Sequence, residues 1–221
     1  LCTGGTLTSR GSLEIVSKSW GGTATLSSTY NDKTAKGYAF AYGINLDAQN
    51  NQLTHTGALN VVAEARGGTA TVVTDLRATA IANGWAYGIR AEGKNALIQS
   101  TGTVTVDARA YGGTASCKAS NTSPGVGADA DARAIWANQE GKVNIDGDAV
   151  VLVQAVSGTA EAKEQGKTAA AKPRPVASVL AAFGGEIKVT GTTAVNLLAQ
   201  GGTAASAGSG ASARTNAYGV Y

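Results

Sequence analysis

Methionine is absent from this 221-residue chain, and what else is scarce narrows the possibilities further. Aromatic residues make up 5% of the chain although hydrophobic residues make up 43%. The apolar share therefore rests on Ala and Val, not on the bulky side chains that fill the middle of a conventional globule. A narrow core of small residues, with no residue far from the surface, fits a solenoid better. Only one His is present, which excludes a His-based metal site. Charge is sparse at 15%, and the 18 basic and 15 acidic residues are interspersed. Without a Lys/Arg run there is no nucleic-acid footprint, so no nucleic-acid partner is expected. No apolar run approaches the length of a membrane-crossing helix, so no membrane insertion is expected. The glycines end in no Gly-Lys-Ser/Thr phosphate loop, and no calcium-binding nonapeptide occurs. We expect no cofactor and no metal.

The opening residues Leu1-Cys2-Thr3-Gly4-Gly5 lack the charged and apolar regions of a signal peptide. They read as the start of a mature form or of an excised piece. The two cysteines, Cys2 and Cys117, lie about two and a half repeat periods apart (below). At one coil per period that is roughly 12 Å along the axis, taking ~4.8 Å per coil. A disulfide needs Cα atoms within about 7 Å, so an internal bridge is not expected. Two structural thiols, or a link from Cys2 to another chain, are the alternatives.

Thirty glycines accompany the three prolines, and their placement is regular. A Gly-Gly-Thr-Ala segment occurs at 21–24, 67–70 and 112–115, recurs as Ser157-Gly158-Thr159-Ala160, and returns at 201–204. The steps from 21 to 67, 112, 157 and 201 are 46, 45, 45 and 44 residues. Five such matches at so steady a step define an internal repeat. A second anchor runs in phase, from Gly11-Ser12-Leu13 through Gly57-Ala58-Leu59, Gly102-Thr103-Val104 and Gly147-Asp148-Ala149 to Gly191-Thr192-Thr193. A third, Ala-Tyr-Gly-Ile/Val, stands at 41–44, 86–89 and 217–220.

Local patterns are β. Val104, Val106, Ala108 and Ala110 alternate with Thr105, Asp107 and Arg109, the two-residue period of a strand. No helical stripe is evident. Residues 1–221 are therefore expected to form a single repeat domain, an all-β, elongated parallel β-solenoid of about five ~45-residue repeats. A 45-residue period is long for one coil. Two coils of about 22 residues per unit is the favoured reading, and one coil with an outward arm is the other. Asn121-Thr122-Ser123-Pro124-Gly125 and Lys172-Pro173-Arg174-Pro175 read as loops leaving the stack, since Pro cannot donate to a ladder. The first of these holds a formal N-glycosylation triplet.

No residue is assigned a catalytic role, and the chain reads as a non-enzyme. The best acidic cluster is Asp129, Asp131 and Arg133, which alternation would place on one strand face. Paired carboxylates can divide acid and base roles, whereas the plainer reading is a self-neutralising solvated face. His55 reads as a loop or turn residue. The recurring Thr23, Thr69, Thr114, Thr159 and Thr203 form a structural column, with ice binding as a remote alternative, because the companion series Thr25, Thr71, Ser116, Glu161, Ala205 decays. Tyr42, Tyr87, Trp136, Phe183 and Tyr218 would stack as an aromatic ladder, expected to be buried among small neighbours. If exposed, the ladder would suit a glycan or a protein partner. The chain starts just past the Tyr-Gly anchor and ends just after it, so Leu1, Cys2, Tyr218 and Tyr221 are possible assembly ends at uncapped faces.

The Gly-Gly-Thr-Ala anchors, the Ala-Tyr-Gly-Ile segments and the Ala/Val/Thr-rich filler resemble bacterial surface β-solenoids, in particular the passenger domains of autotransporters and filamentous adhesins. The resemblance spans nearly the whole chain. It implies a secreted right-handed β-helix at the bacterial cell surface or outside the cell, contacting a host or neighbour-cell protein or glycan. Three functions are weighed: a structural or adhesive module, a fibre subunit partnering itself head to tail, and a carbohydrate-active β-helix enzyme.

Overall fold

The computed structural model describes residues 5–27, 33–74, 78–119, 125–163, 170–171, 173–206 and 211–220. The first repeat unit contains β1 (Thr6–Arg10), β2 (Leu13–Trp20), β3 (Thr23–Ser27), β4 (Lys33–Lys36) and β5 (Ala39–Leu46). The second contains β6 (Gln52–Thr56), β7 (Leu59–Arg66), β8 (Thr69–Thr74), β9 (Ala78–Ile81) and β10 (Gly84–Glu92). The third contains β11 (Leu97–Thr101), β12 (Val104–Tyr111), β13 (Thr114–Ala119), β14 (Gly125–Gly127) and β15 (Ala130–Asn138). The fourth contains β16 (Lys142–Asp146), β17 (Ala149–Val156), β18 (Thr159–Lys163), β19 (Ala170–Ala171) and β20 (Pro175–Phe183). The fifth contains β21 (Glu186–Val189), β22 (Thr193–Gln200), β23 (Thr203–Ser206) and β24 (Asn216–Val220).

The protein is all-β, and its strands form five parallel sheets. Each sheet takes at most one strand from each unit: β1-β6-β11-β16-β21, β2-β7-β12-β17-β22, β3-β8-β13-β18-β23, β4-β9-β14-β19, to which the fifth unit adds none among the described residues, and β5-β10-β15-β20-β24, called the first to fifth sheets. Val61 pairs with Val106 and Val106 with Val151, and this register holds along the second sheet. Two circuits per unit would pair residues about 22 apart. The observed partners are one full period apart, so each unit makes a single circuit of the five sheets, against the favoured expectation from the sequence.

Alternation sends one column of each strand inward. Leu59, Val61, Ala63 and Ala65 of β7 are buried between Asn60, Val62, Glu64 and Arg66, which face out. Two separate cores result. The larger lies between the second and fifth sheets and is closed on one side by Leu53, Ile98, Val143 and Ile145 of the first. The smaller lies between the third and fourth sheets and holds Val72, Ala80, Ala115, Cys117 and Val126.

The Gly-Gly anchor is the waist between these lobes. There opposite walls touch from one unit to the next: Gly68 N–H donates to Gly37 O at 2.9 Å, Gly113 N–H to Ala82 O at 2.8 Å, and Gly158 N–H to Ala128 O at 2.9 Å. A Cβ on Gly67 would come within 2.8 Å of Ala82 O, and one on Gly113 would strike the backbone of Gly67 and Gly68 in the adjacent unit. Only glycine leaves room for this double approach. The second anchor has another cause. Gly11, Gly57, Gly102 and Gly147 turn the chain between the first and second sheets with positive φ of 90 to 149°.

The alternation of the fifth-sheet strands breaks phase at one position. Ala86, Ile89 and Ala91 are buried, a spacing of three and then two, and the register skips Gly88 without inserting a residue on either strand. This sets the outward residues of β10 at Trp85, Tyr87, Arg90 and Glu92. Pro175 does not leave the stack: it opens β20 and pairs with Ala130, a first-in-strand position where its missing N–H is tolerated. Residues 120–124 and Lys172 lie outside the described residues, and with them most of the two loops expected from the sequence and the glycosylation triplet.

Candidate functional site

The outward columns of the fifth sheet concentrate the aromatic and guanidinium groups. Tyr42 and Tyr87 are register partners, and their rings stack at 5.2 Å with an interplanar angle of 8°. Tyr87 stacks in turn on Trp136 at 5.2 Å, and Phe183 meets Trp136 edge-on at 6.3 Å. A second stack sets Phe40 on Trp85 at 4.4 Å, with Tyr38 edge-on to Trp85 at 5.0 Å. The Arg133 guanidinium lies 4.3 Å from the Trp136 ring centre, and that of Arg90 lies 5.0 Å from it. Cation–π attraction of this kind strengthens as water is excluded.

Both cations are also held by carboxylates. Arg133 Nε and Nη2 donate to the two oxygens of Asp131 at 2.9 and 2.8 Å, a bidentate pair. Arg90 pairs with Glu92, and its Nη1 donates to Asn45 Oδ1. The patch is therefore charge-balanced within itself.

The expected ladder thus runs through Tyr42, Tyr87, Trp136 and Phe183 but not to Tyr218, whose register partner is Ser178, and it lies outside the core. Tyr87 is buried, at 8% exposure, under neighbouring side chains of the outer face, whereas Phe40 of the second stack is 48% exposed. Burial, with the Asp131 charge adding to it, raises the Tyr87 phenol well above its usual range. The sequence reading missed Tyr38, Phe40, Trp85, Arg90 and Glu92. For Phe40 and Trp85 a signal was available, since they stand two residues before the anchor tyrosines and so share their face.

Asp131 and Arg133 share that face, while Asp129 precedes β15 at the waist. Asp129 N–H donates to Asn83 Oδ1 at 2.9 Å, and Asp129 Oδ1 accepts the Arg174 N–H at 2.8 Å. Side-chain oxygens at this register thus tie the second unit to the third and the third to the fourth. Burial raises the Asp129 pKa against the lowering effect of that hydrogen bond and of the Arg174 charge.

The threonine column is in register across all five units, on the outer face of the third sheet. Its companion column is interrupted by Glu161, which pairs with Lys163 at 3.1 Å.

His55 is not in a loop. It lies in β6, faces inward and is completely buried. Its Nε2 donates to Ala58 O at 3.2 Å. Its Nδ1 and the hydroxyl of its register partner Ser100 have no partner among the described residues. Cys117 is buried in the smaller core, while Cys2 lies outside the described residues, as do Leu1 and Tyr221. Tyr218 is in β24, in register with Ser178.

Comparison with family models, with curated proteins and with solved structures returned no match, so the functional reading rests on the geometry alone.

Proposed function

We propose that the chain is a parallel β-solenoid, right-handed as in the surface proteins it resembles, and that it acts outside a bacterial cell as a non-enzymatic structural or adhesive module. The observation that carries this reading is the register. Every unit returns each strand to the same column, so the chain is spent on an extended stack with side chains repeated along its outer faces. Stacked rings, guanidiniums held between them and the threonine column all brace unit against unit. Such a stack keeps its outer faces in fixed array, which suits display or spacing.

The carbohydrate-active alternative finds less support. Both oxygens of Asp131 are engaged by Arg133, and one oxygen of Asp129 is engaged by a backbone N–H. The test is to immobilise the 221-residue chain and probe it with an array of glycans and matrix proteins, beside an assay for polysaccharide depolymerisation. Saturable binding without cleavage agrees with the module. Cleavage that Asp129→Asn or Asp131→Asn abolishes would overturn it.

A further inference from the structure

The chain contains a single Asn-Gly step, Asn83-Gly84, and it lies at the waist between β9 and β10. In an unfolded chain this is the dipeptide most prone to lose its side-chain amide, because glycine carries nothing that shields its own backbone nitrogen. Packing requires the glycine here: a Cβ on Gly84 would lie 2.3 Å from Tyr111 O, on the second sheet of the next unit, and 3.0 Å from Ala65 O. Asn83 is buried, and the third unit holds both members of the reactive pair. Asn83 Oδ1 accepts the Asp129 N–H at 2.9 Å, and Gly84 N–H donates to Asp129 O at 3.0 Å. One residue earlier, Ala82 O accepts the Gly113 N–H at 2.8 Å, and from the first unit Ala39 N–H donates to Asn83 O at 3.0 Å.

We infer that Asn83 is a protected modification site, at which the joint between the second and third units records its own opening as deamidation. While Asp129 is docked, Gly84 N keeps its proton in a hydrogen bond, and the Asn83 amide is held on the Asp129 N–H, away from attack. Once the joint opens, Gly84 N gives up its proton and attacks Asn83 Cγ. The N–Cγ bond forms, the Cγ–Nδ2 bond breaks, and Nδ2 takes up a proton and leaves as ammonia. Water then opens the five-membered imide. Addition at Cγ breaks the new bond and leaves aspartate. Addition at the backbone carbonyl of residue 83 breaks the original peptide bond and leaves isoaspartate, whose main chain runs through Cβ and Cγ. Both products oppose reclosure. Aspartate sets a second carboxylate one register step from Asp129, in a buried column. Isoaspartate lengthens the main chain ahead of β10 and displaces its pairing with β5 and β15. The step is one-way, so each opening of this joint adds to the modified fraction. The inference rests on the register of the second and third units and is independent of any adhesive role.

The experiment holds the 221-residue chain in warm, mildly alkaline buffer, folded or unfolded in urea, and follows the tryptic peptide 78–90 by mass spectrometry, separating its asparagine, aspartate and isoaspartate forms. Expected is conversion roughly a hundredfold or more slower in the folded chain, because only the opened joint reacts. Gly113→Ala, which strains the contact beside Ala82, should speed conversion while the chain is still folded by circular dichroism, and Gly22→Ala should leave it unchanged. Asn83→Asp, which installs one product from the start, should melt at lower urea than wild type. Conversion of the folded chain at the unfolded rate would overturn the inference, as would a folded Gly113→Ala chain that converts no faster than wild type. Should Gly113→Ala not fold, wild type in urea below its unfolding transition takes its place: conversion that rises there supports opening of the joint, and conversion that waits for global unfolding overturns it.

Discussion

Gly22 and Gly113 stand in one column, yet their surroundings differ. Nothing lies within 4 Å of a Cβ placed on Gly22, whereas one placed on Gly113 collides with the backbone of the preceding unit. Gly113→Ala is expected to cost about 3 kcal/mol in chemical denaturation, and Gly22→Ala to stay within about 0.5 kcal/mol. Ser100 gives the opposite sign. Its buried hydroxyl is unpaired among the described residues, so Ser100→Ala should stabilise the fold by about 1 kcal/mol. Asp129 makes a pH-dependent case. A carboxyl whose pKa is raised by folding is penalised in its charged form, so folding is favoured as pH falls through the folded pKa. Asn83 already occupies the same register one unit earlier and accepts the same kind of backbone N–H. Asp129→Asn is therefore expected to raise stability at neutral pH, with the advantage over wild type shrinking on acidification. An advantage that grew toward low pH would contradict this account of Asp129.

At the scale of the element, the aromatic ladder is a cross-strand brace. Tyr87 sits in its middle under Tyr42, Trp136 and Arg133, while Phe40 belongs to the second stack and is half exposed. Removing the Tyr87 ring is expected to cost about 3 kcal/mol, in the range of buried aromatic truncations, and removing the Phe40 ring about 1 kcal/mol. Urea melts of Tyr87→Ala and Phe40→Ala check the order, and equal losses would mean that the burial of Tyr87 within the ladder does not set its contribution. The strands themselves were legible in the sequence, because strict alternation in segments such as Val104–Ala110 states which side is inward. The face of the ladder was not. Small apolar neighbours suggested burial, but in a two-residue period those neighbours point the other way from Tyr42 and Tyr87. The phase break at Gly43, Gly88 and Ala134 then brings Arg90 and Trp136 onto the same face.

On the scale of the whole molecule, the period was readable and the number of circuits within it was not. Gly-Gly-Thr-Ala marks a place where something must be small, and the sequence cannot say that the obstacle is the opposite wall. The meeting of Gly68 with Gly37 of the preceding unit, and of Gly113 with Ala82 of the preceding unit, pinches the stack into two lobes. That pinch lets 45 residues close a single circuit around two narrow cores of small side chains. His55 and Pro175 were misplaced for a related reason. A lone polar residue or a proline suggests a loop, but tertiary register put the first inside and the second at a strand's first position. The direct test is the axial distance between Thr23 and Thr203, four units apart in the outer column of the third sheet. Both are replaced by spin-labelled cysteine in a chain whose Cys2 and Cys117 are changed to Ala. With one circuit per unit the backbone separation is about 19 Å, from four steps of ~4.8 Å, and double electron–electron resonance should centre near 2 nm. A distribution centred near 4 nm would mean two circuits per unit and would contradict the stack described here.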